Sequence, residues 1–130
     1  MKKIISTNKA PTPAGPYSPV VAFGDLLFIS GQGPVDPITG IIICDNLETQ
    51  TRRTLDNVKA ILEDVGSSMR DVLKVTAYLF DMDRFGEFNE IYAEYFSESP
   101  PARTCIQAGR LPFDIKVEID IIACRSKENR

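Results

Sequence analysis

Two runs of strict alternation, inside the stretch Pro100 to Ala123, do most to limit how this chain can fold. From Ala102 to Gly109 one parity holds Arg103, Cys105 and Gln107, and the other holds Thr104, Ile106 and Ala108. From Lys116 to Ala123 one parity holds Lys116, Glu118 and Asp120, and the other holds Val117, Ile119 and Ile121. A period of two with β-branched residues marks a half-buried strand. Pro112 and Asp114 suit a turn between the two. The expectation is a pair of strands joined by a tight loop, with Arg103 and Glu118 on one face of a sheet. A slip of one residue would part them.

The earlier chain supplies further elements. Lys3 to Ser6 suits a short edge strand. Asn8 to Pro19 carries four prolines and reads as an extended, rigid segment that fixes Tyr17, either into a site or simply under the loop. Val20–Phe23 and Leu26–Ser30, separated by Gly24-Asp25, read as a hairpin. Leu26 to Ile29 is apolar on both parities, which predicts burial on both faces. Gly31-Gln32-Gly33 lacks the third glycine of a dinucleotide fingerprint, and Pro34 and Pro37 forbid the helix that motif opens. It reads instead as a turn at a strand end, either structural or open to close approach by a ligand. Asp36 to Gly40 forms a second turn, and Ile41 to Cys44 suits a short strand.

Asp45 to Val65 reads as a helix, with Asp45 and Glu48 resembling a capping box and Gly66 as the stop. Its buried stripe is Leu55, Val58, Ile61, Leu62 and Val65. Asp71 to Phe80 reads as a strand, with Leu73, Val75, Ala77 and Leu79 on one parity and Tyr78 and Phe80 on the other. A second helix, Arg84 to Phe96, follows the cap at Asp81 to Asp83. Phe85, Phe88, Ile91, Tyr92, Tyr95 and Phe96 recur on it at helical spacing and read as core, with Asn89 the polar neighbour to watch. Ser97 to Pro101 ends it, and the charged tail after Cys124 is expected to fray.

This order predicts an α+β sandwich, a mixed β-sheet with two helices packed on one face, in a single domain over residues 1–130. The uncovered face would carry Phe28 or its neighbours, Tyr78, Phe80, Arg103 and Glu118. So large an apolar patch predicts a homo-oligomer with clefts between subunits.

Composition narrows the chemistry. Histidine is absent, which excludes Ser-His-Asp and Cys-His triads and histidine-based metal sites. Any proton transfer falls to a carboxylate, tyrosine, cysteine, lysine or water. A net charge of −3 argues against a nucleic-acid surface. Arg52-Arg53 reads as a solvated helix face. Cys44, Cys105 and Cys124 form no CxxC pair and suggest free thiols in a reducing compartment. No signal peptide or membrane-spanning window is evident, so a cytoplasmic protein, or one in an organelle, is expected.

Several motifs in order resemble the Rid (YjgF-type) family, and most of all its RidA-like branch of enamine/imine deaminases. They are Gly15-Pro16-Tyr17-Ser18, Phe28-Ile29-Ser30-Gly31-Gln32 and Asp36-Pro37-Ile38-Thr39-Gly40. Gln50-Thr51-Arg52, Asn89-Glu90-Ile91-Tyr92, Pro101-Ala102-Arg103 and Val117-Glu118-Ile119 continue the series. The resemblance implies a chorismate-mutase-like fold and a homotrimer with three interfacial clefts. It implies hydrolysis of 2-iminobutanoate and 2-iminopropanoate to 2-oxo acids and ammonia, a C–N hydrolase working beside PLP-dependent dehydratases. Arg103 would bind the substrate carboxylate and Glu118 would position or activate water. Tyr17, Ser30, Gly31, Asn89 and Cys105 would shape the pocket. Thr104, where many relatives have serine, lies on the other strand parity from Arg103.

The chemistry agrees with that expectation. A guanidinium forks onto a carboxylate with two parallel hydrogen bonds. An imine carbon is already an electrophile, so no metal or cofactor is required, only positioning and a modest base. Cys105 has no histidine to activate it and reads as a pocket residue. Other readings stay open: a structural Arg103–Glu118 ion pair between subunits, a 2-oxo-acid-binding regulatory trimer, an endoribonuclease that inhibits translation, and a holdase chaperone.

Overall fold

Val117, Ile119, Ile121 and Ala123 are all buried, and the residues between them are half-buried. That alternation makes β6 (Val117–Cys124) a central strand of one six-stranded sheet. The structure is a computed structural model that describes residues 1–125, so the expected fraying of the tail after Cys124 falls mostly outside the described residues. The other strands are β1 (Lys2–Ile5), β2 (Val20–Phe23), β3 (Leu26–Gln32), β4 (Val72–Leu79) and β5 (Ala102–Gln107). Their order across the sheet is β1-β2-β3-β6-β4-β5. All neighbours are antiparallel except β4 and β5, which run parallel. Helices α1 (Leu47–Asp64) and α2 (Phe85–Tyr95) complete the mixed-sheet, two-helix architecture.

The core lies between helices and sheet. Leu55, Val58, Ile61 and Leu62 of α1 and Phe88 of α2 are fully buried with Leu27, Val75, Ala77, Leu79, Val117 and Ile119. Asn46 caps α1 by accepting a hydrogen bond from the Thr49 N–H at 2.8 Å, a contact worth about 1 kcal/mol. The capping box expected at Asp45 and Glu48 does not form: the cap falls one residue later, and Asp45 accepts from the Asn46 N–H. Gly66, at φ 86°, lets the chain leave the helix through the left-handed region.

Four further expectations are corrected. The strands at 102–107 and 117–124 do not pair, because β4 lies between them. Their connection passes the end of β4, where the Phe80 N–H bonds Lys116 O and the Ala108 N–H bonds Leu79 O. Leu26 and Phe28 are 37% and 40% exposed, so β3 is covered on one face only within the protomer. A bulge between Val72 and Lys74 keeps Val72 in the core and turns Leu73 outward. Ile41–Cys44 forms no strand; only an isolated bridge joins Val35 and Ile42.

Gly31-Gln32-Gly33 is likewise not a simple turn at a strand end. Strand β3 runs through Gln32 with a bulge between Ile29 and Gln32. Ile29 opposes Ile121 and Gln32 opposes Ile119, so Ser30 and Gly31 together face the single residue Asp120. The extra residue keeps both on the uncovered side of the sheet.

Candidate active site

Arg103 belongs to the helix-covered face. It sits opposite Val75 in the parallel β4–β5 ladder, and Val75 is fully buried beneath the helices. Its Nη1 donates to Asn89 Oδ1 of α2 at 2.8 Å. Its guanidinium carbon lies 4.7 Å from the Tyr92 ring centre, 5.4 Å from that of Phe85 and 6.0 Å from that of Phe88. Among the described residues Arg103 makes no ion pair. Cations over aromatic faces gain about 0.5–2 kcal/mol, and neither a ring nor an amide neutralises the charge. Strand β5 is an edge strand, so this unneutralised cation stands at the margin of the protomer.

Cys105 shares the face of Arg103, opposite Ala77. Burial pushes its thiol pKa up, and the Arg103 charge opposes that only in part. A thiol held protonated is a poor nucleophile.

Glu118 belongs to the other face. It opposes Tyr78, whose parity is the reverse of the buried Val75, Ala77 and Leu79. The expectation that Arg103 and Glu118 share a face of one sheet is therefore corrected. The interposed β4 settles the parity of each strand separately. Glu118 lines an open groove of about 590 Å³ with Tyr17, Ser30, Gly31, Phe28 and Asp120. Burial raises its pKa, and the neighbouring Asp120 charge raises it further. A carboxyl group held above its ordinary range is a better proton acceptor once ionised.

The remaining groove residues are fixed locally. The Ser30 hydroxyl donates to Ser18 O at 2.7 Å, tying the proline-rich segment to β3. The Tyr17 N–H bonds Gly15 O at 2.9 Å, and its ring stands half exposed over the groove. Gly31 is required by proximity: a β-carbon there would lie 2.6 Å from Glu118 Oε2 and 2.9 Å from its Cδ. The Tyr78 hydroxyl donates to Asp120 Oδ2 at 3.0 Å beside it.

The structure thus gathers Tyr17, Ser30, Gly31 and Glu118 on the uncovered face, and Asn89, Arg103 and Cys105 on the helix face. Thr104 joins neither group; its hydroxyl accepts from Lys74 Nζ at 2.9 Å. Reading Phe85, Phe88 and Tyr92 as core missed their second contact, with Arg103. Helical spacing identified them as one stripe, but nothing local said that a cation would lie against it. Arg52 pairs with Glu48 and Glu94 at the surface, as a solvated helix face should. No helix among the described residues is long and apolar enough to cross a membrane.

Known proteins resemble this chain in sequence and fold. The family model described as Endoribonuclease L-PSP matches residues 7–125. A RutC family protein of Pyrococcus horikoshii is 53% identical over 123 residues, 95% of this chain and 98% of its own length. A protein of Escherichia coli K12 with the provisional name reactive intermediate deaminase TdcF is 46% identical over 129 residues, 97% of this chain and 99% of its own. The crystal structure of E. coli TdcF with bound serine superposes with a TM-score of 0.87 at 44% identity, covering 95% of this chain and 99% of that one. With a matching family model over most of its length and this fold, the chain belongs to the Endoribonuclease L-PSP family, also known as the YjgF or Rid family.

Proposed function

We propose that this protein hydrolyses small 2-imino acids, such as 2-iminobutanoate and 2-iminopropanoate, to 2-oxo acids and ammonia, in clefts between the subunits of a homotrimer. The observation that carries the reading is Arg103, a half-buried guanidinium that forms no ion pair among the described residues and is steadied by an amide and aromatic rings. Such a group is an open seat for a carboxylate. The name of the relative TdcF supports the reaction class.

Arg103 and Glu118 face opposite sides of one sheet, so a site using both takes Arg103 from one copy and Glu118 from the next. The uncovered face supplies a surface for that contact, since Val21, Phe28 and Ile122 line its groove. Head-to-tail contacts of this kind build a closed ring when the rotation between copies closes. With the substrate carboxylate on Arg103, Glu118 takes a proton from water as its oxygen bonds to the imine carbon. That proton passes to the imine nitrogen to give a neutral carbinolamine, whose hydroxyl proton then moves by way of Glu118 to the same nitrogen as the C=O bond forms and the C–N bond breaks, releasing ammonia. Glu118 ends ionised and ready for the next turnover. Localisation in the cytoplasm, beside PLP-dependent dehydratases that release imines, belongs to the same proposal.

A second reading has a specific observation behind it: the related TdcF holds serine in its crystal. A cleft that only senses amino or oxo acids would need Arg103 but not Glu118. The RNA cleavage named in the family description is a weaker match, because Glu118 and Asp120 place two carboxylates in the groove that a phosphate backbone would enter.

The test couples a dehydratase that generates 2-iminobutanoate to this protein in semicarbazide buffer. Wild type should divert imine to 2-oxobutanoate, and Arg103→Ala and Glu118→Ala should not. A wild type that leaves the semicarbazone yield unchanged, while still binding 2-oxobutanoate through Arg103, would replace the enzyme with a sensor.

A further inference from the structure

We infer that Phe85, Phe88 and Tyr92 are positioning residues that hold the Arg103 guanidinium in its carboxylate-binding pose; this deepens the proposed function and rests on it. Core packing alone explains part of the stripe: Phe88 and Phe96 are buried, and the Phe88 and Tyr92 rings meet at 5.6 Å. It does not explain why three of these rings crowd one cation. Phe85 is only half-buried, so its contribution to the core is incomplete, yet its ring centre lies 5.4 Å from the guanidinium carbon. Tyr92 is 7% exposed, and its buried hydroxyl has no hydrogen-bond partner among the described residues. Its contact with the cation comes from the ring, whose centre lies 4.7 Å from the guanidinium carbon, and not from the hydroxyl.

Arginine has several rotatable bonds, and a lone hydrogen bond to Asn89 fixes only one end of the fork. A carboxylate would usually fix the rest, but an ion pair would also occupy the substrate's seat. Ring faces restrain a guanidinium without competing for its N–H donors. The cage therefore restrains the cation before binding and leaves its unused donors for the ligand.

The experiment compares intact wild-type oligomer with Phe85→Leu, Tyr92→Leu and Tyr92→Phe, each checked for folding by thermal melt. The first readout is the ¹⁵N–¹H guanidinium signal of Arg103 in ligand-free protein, assigned by its loss in Arg103→Lys. The second is 2-oxobutanoate affinity by calorimetry, with KM and kcat for imine hydrolysis beside it. Both leucine variants should broaden the guanidinium signal and weaken affinity and KM by about 3- to 30-fold with kcat little changed. Tyr92→Phe should match wild type in all of these. Folded leucine variants with an unaltered Arg103 signal and unaltered affinity would overturn the inference. Should Tyr92→Leu fail to fold, Phe85→Leu decides alone, since its ring is only half-buried. If wild type binds no 2-oxo acid yet the leucine variants still loosen the guanidinium, the cage stands and the proposed reaction falls.

Discussion

Arg103 and Glu118 point to opposite faces of the same sheet, Arg103 aligned with the buried Val75 and Glu118 with the outward Tyr78. No side-chain motion carries either group through a packed sheet. Chemistry that needs both must draw them from different copies.

Mixing two dead variants tests that arrangement directly. Arg103→Ala and Glu118→Ala should each be inactive alone. Unfolded and refolded together at equal ratio, they should regain about one quarter of wild-type activity, because random assembly joins an intact Arg103 to an intact Glu118 in about one cleft of four. Mixtures as inactive as their components would rule out a site shared between copies.

Glu118 sets an opposition between stability and activity. Its carboxyl pKa is raised above the ordinary 4.5 by burial and by Asp120. A raised folded pKa means that the protonated form is favoured in the fold. Its stabilising contribution is full below the ordinary value and is lost as pH rises through the raised one. Glu118→Gln should thus melt higher than wild type at neutral pH, with the gap closing towards pH 4. Turnover by wild type should rise with pH across the same window, and Glu118→Gln should be inactive throughout. Melting curves and initial rates at matched pH values report both.

Gly31→Ala should injure the chemistry more than the fold. The added methyl would lie 2.6 Å from Glu118 Oε2, 2.9 Å from its Cδ and 3.2 Å from its Cγ, so the flexible glutamate side chain must move aside. A displacement of about 1 Å is enough to lower kcat by about 10²-fold. The melting temperature should change little. A variant with wild-type kcat would show that Glu118 does not need its present position.

Cys105→Ser should remain active. Burial raises the thiol pKa against the partial pull of Arg103, and the chain has no histidine to take its proton. Iodoacetamide should label Cys105 slowly at pH 7 in mass-spectrometric assays, more slowly than the exposed Cys44. Loss of turnover in a folded Cys105→Ser oligomer would restore a nucleophilic role for the thiol.

The elements themselves were legible because their signals are local. Alternation marked strands over residues 102–109 and 116–123, close to the observed β5 and β6, Gly24-Asp25 marked the hairpin of β2 and β3, and the 3.6-residue stripe of Leu55, Val58, Ile61 and Leu62 marked α1. The motifs around Tyr17, Gly31, Asn89, Arg103 and Glu118 pointed to a family that the comparisons then showed. Alternation says which residues of one strand share a side, but it carries no information about which strand lies next. Adjacency is decided by long-range packing, and packing put β4 between β5 and β6 and sent Arg103 and Glu118 to different faces. The bulge that keeps Gly31 beside Glu118, and the rings of α2 that gather around Arg103, likewise exist only once distant segments meet. The sequence determined the strands, the helices and the side chains available to the proposed site; the tertiary structure alone decided that one protomer holds Arg103 and Glu118 on opposite faces of its sheet.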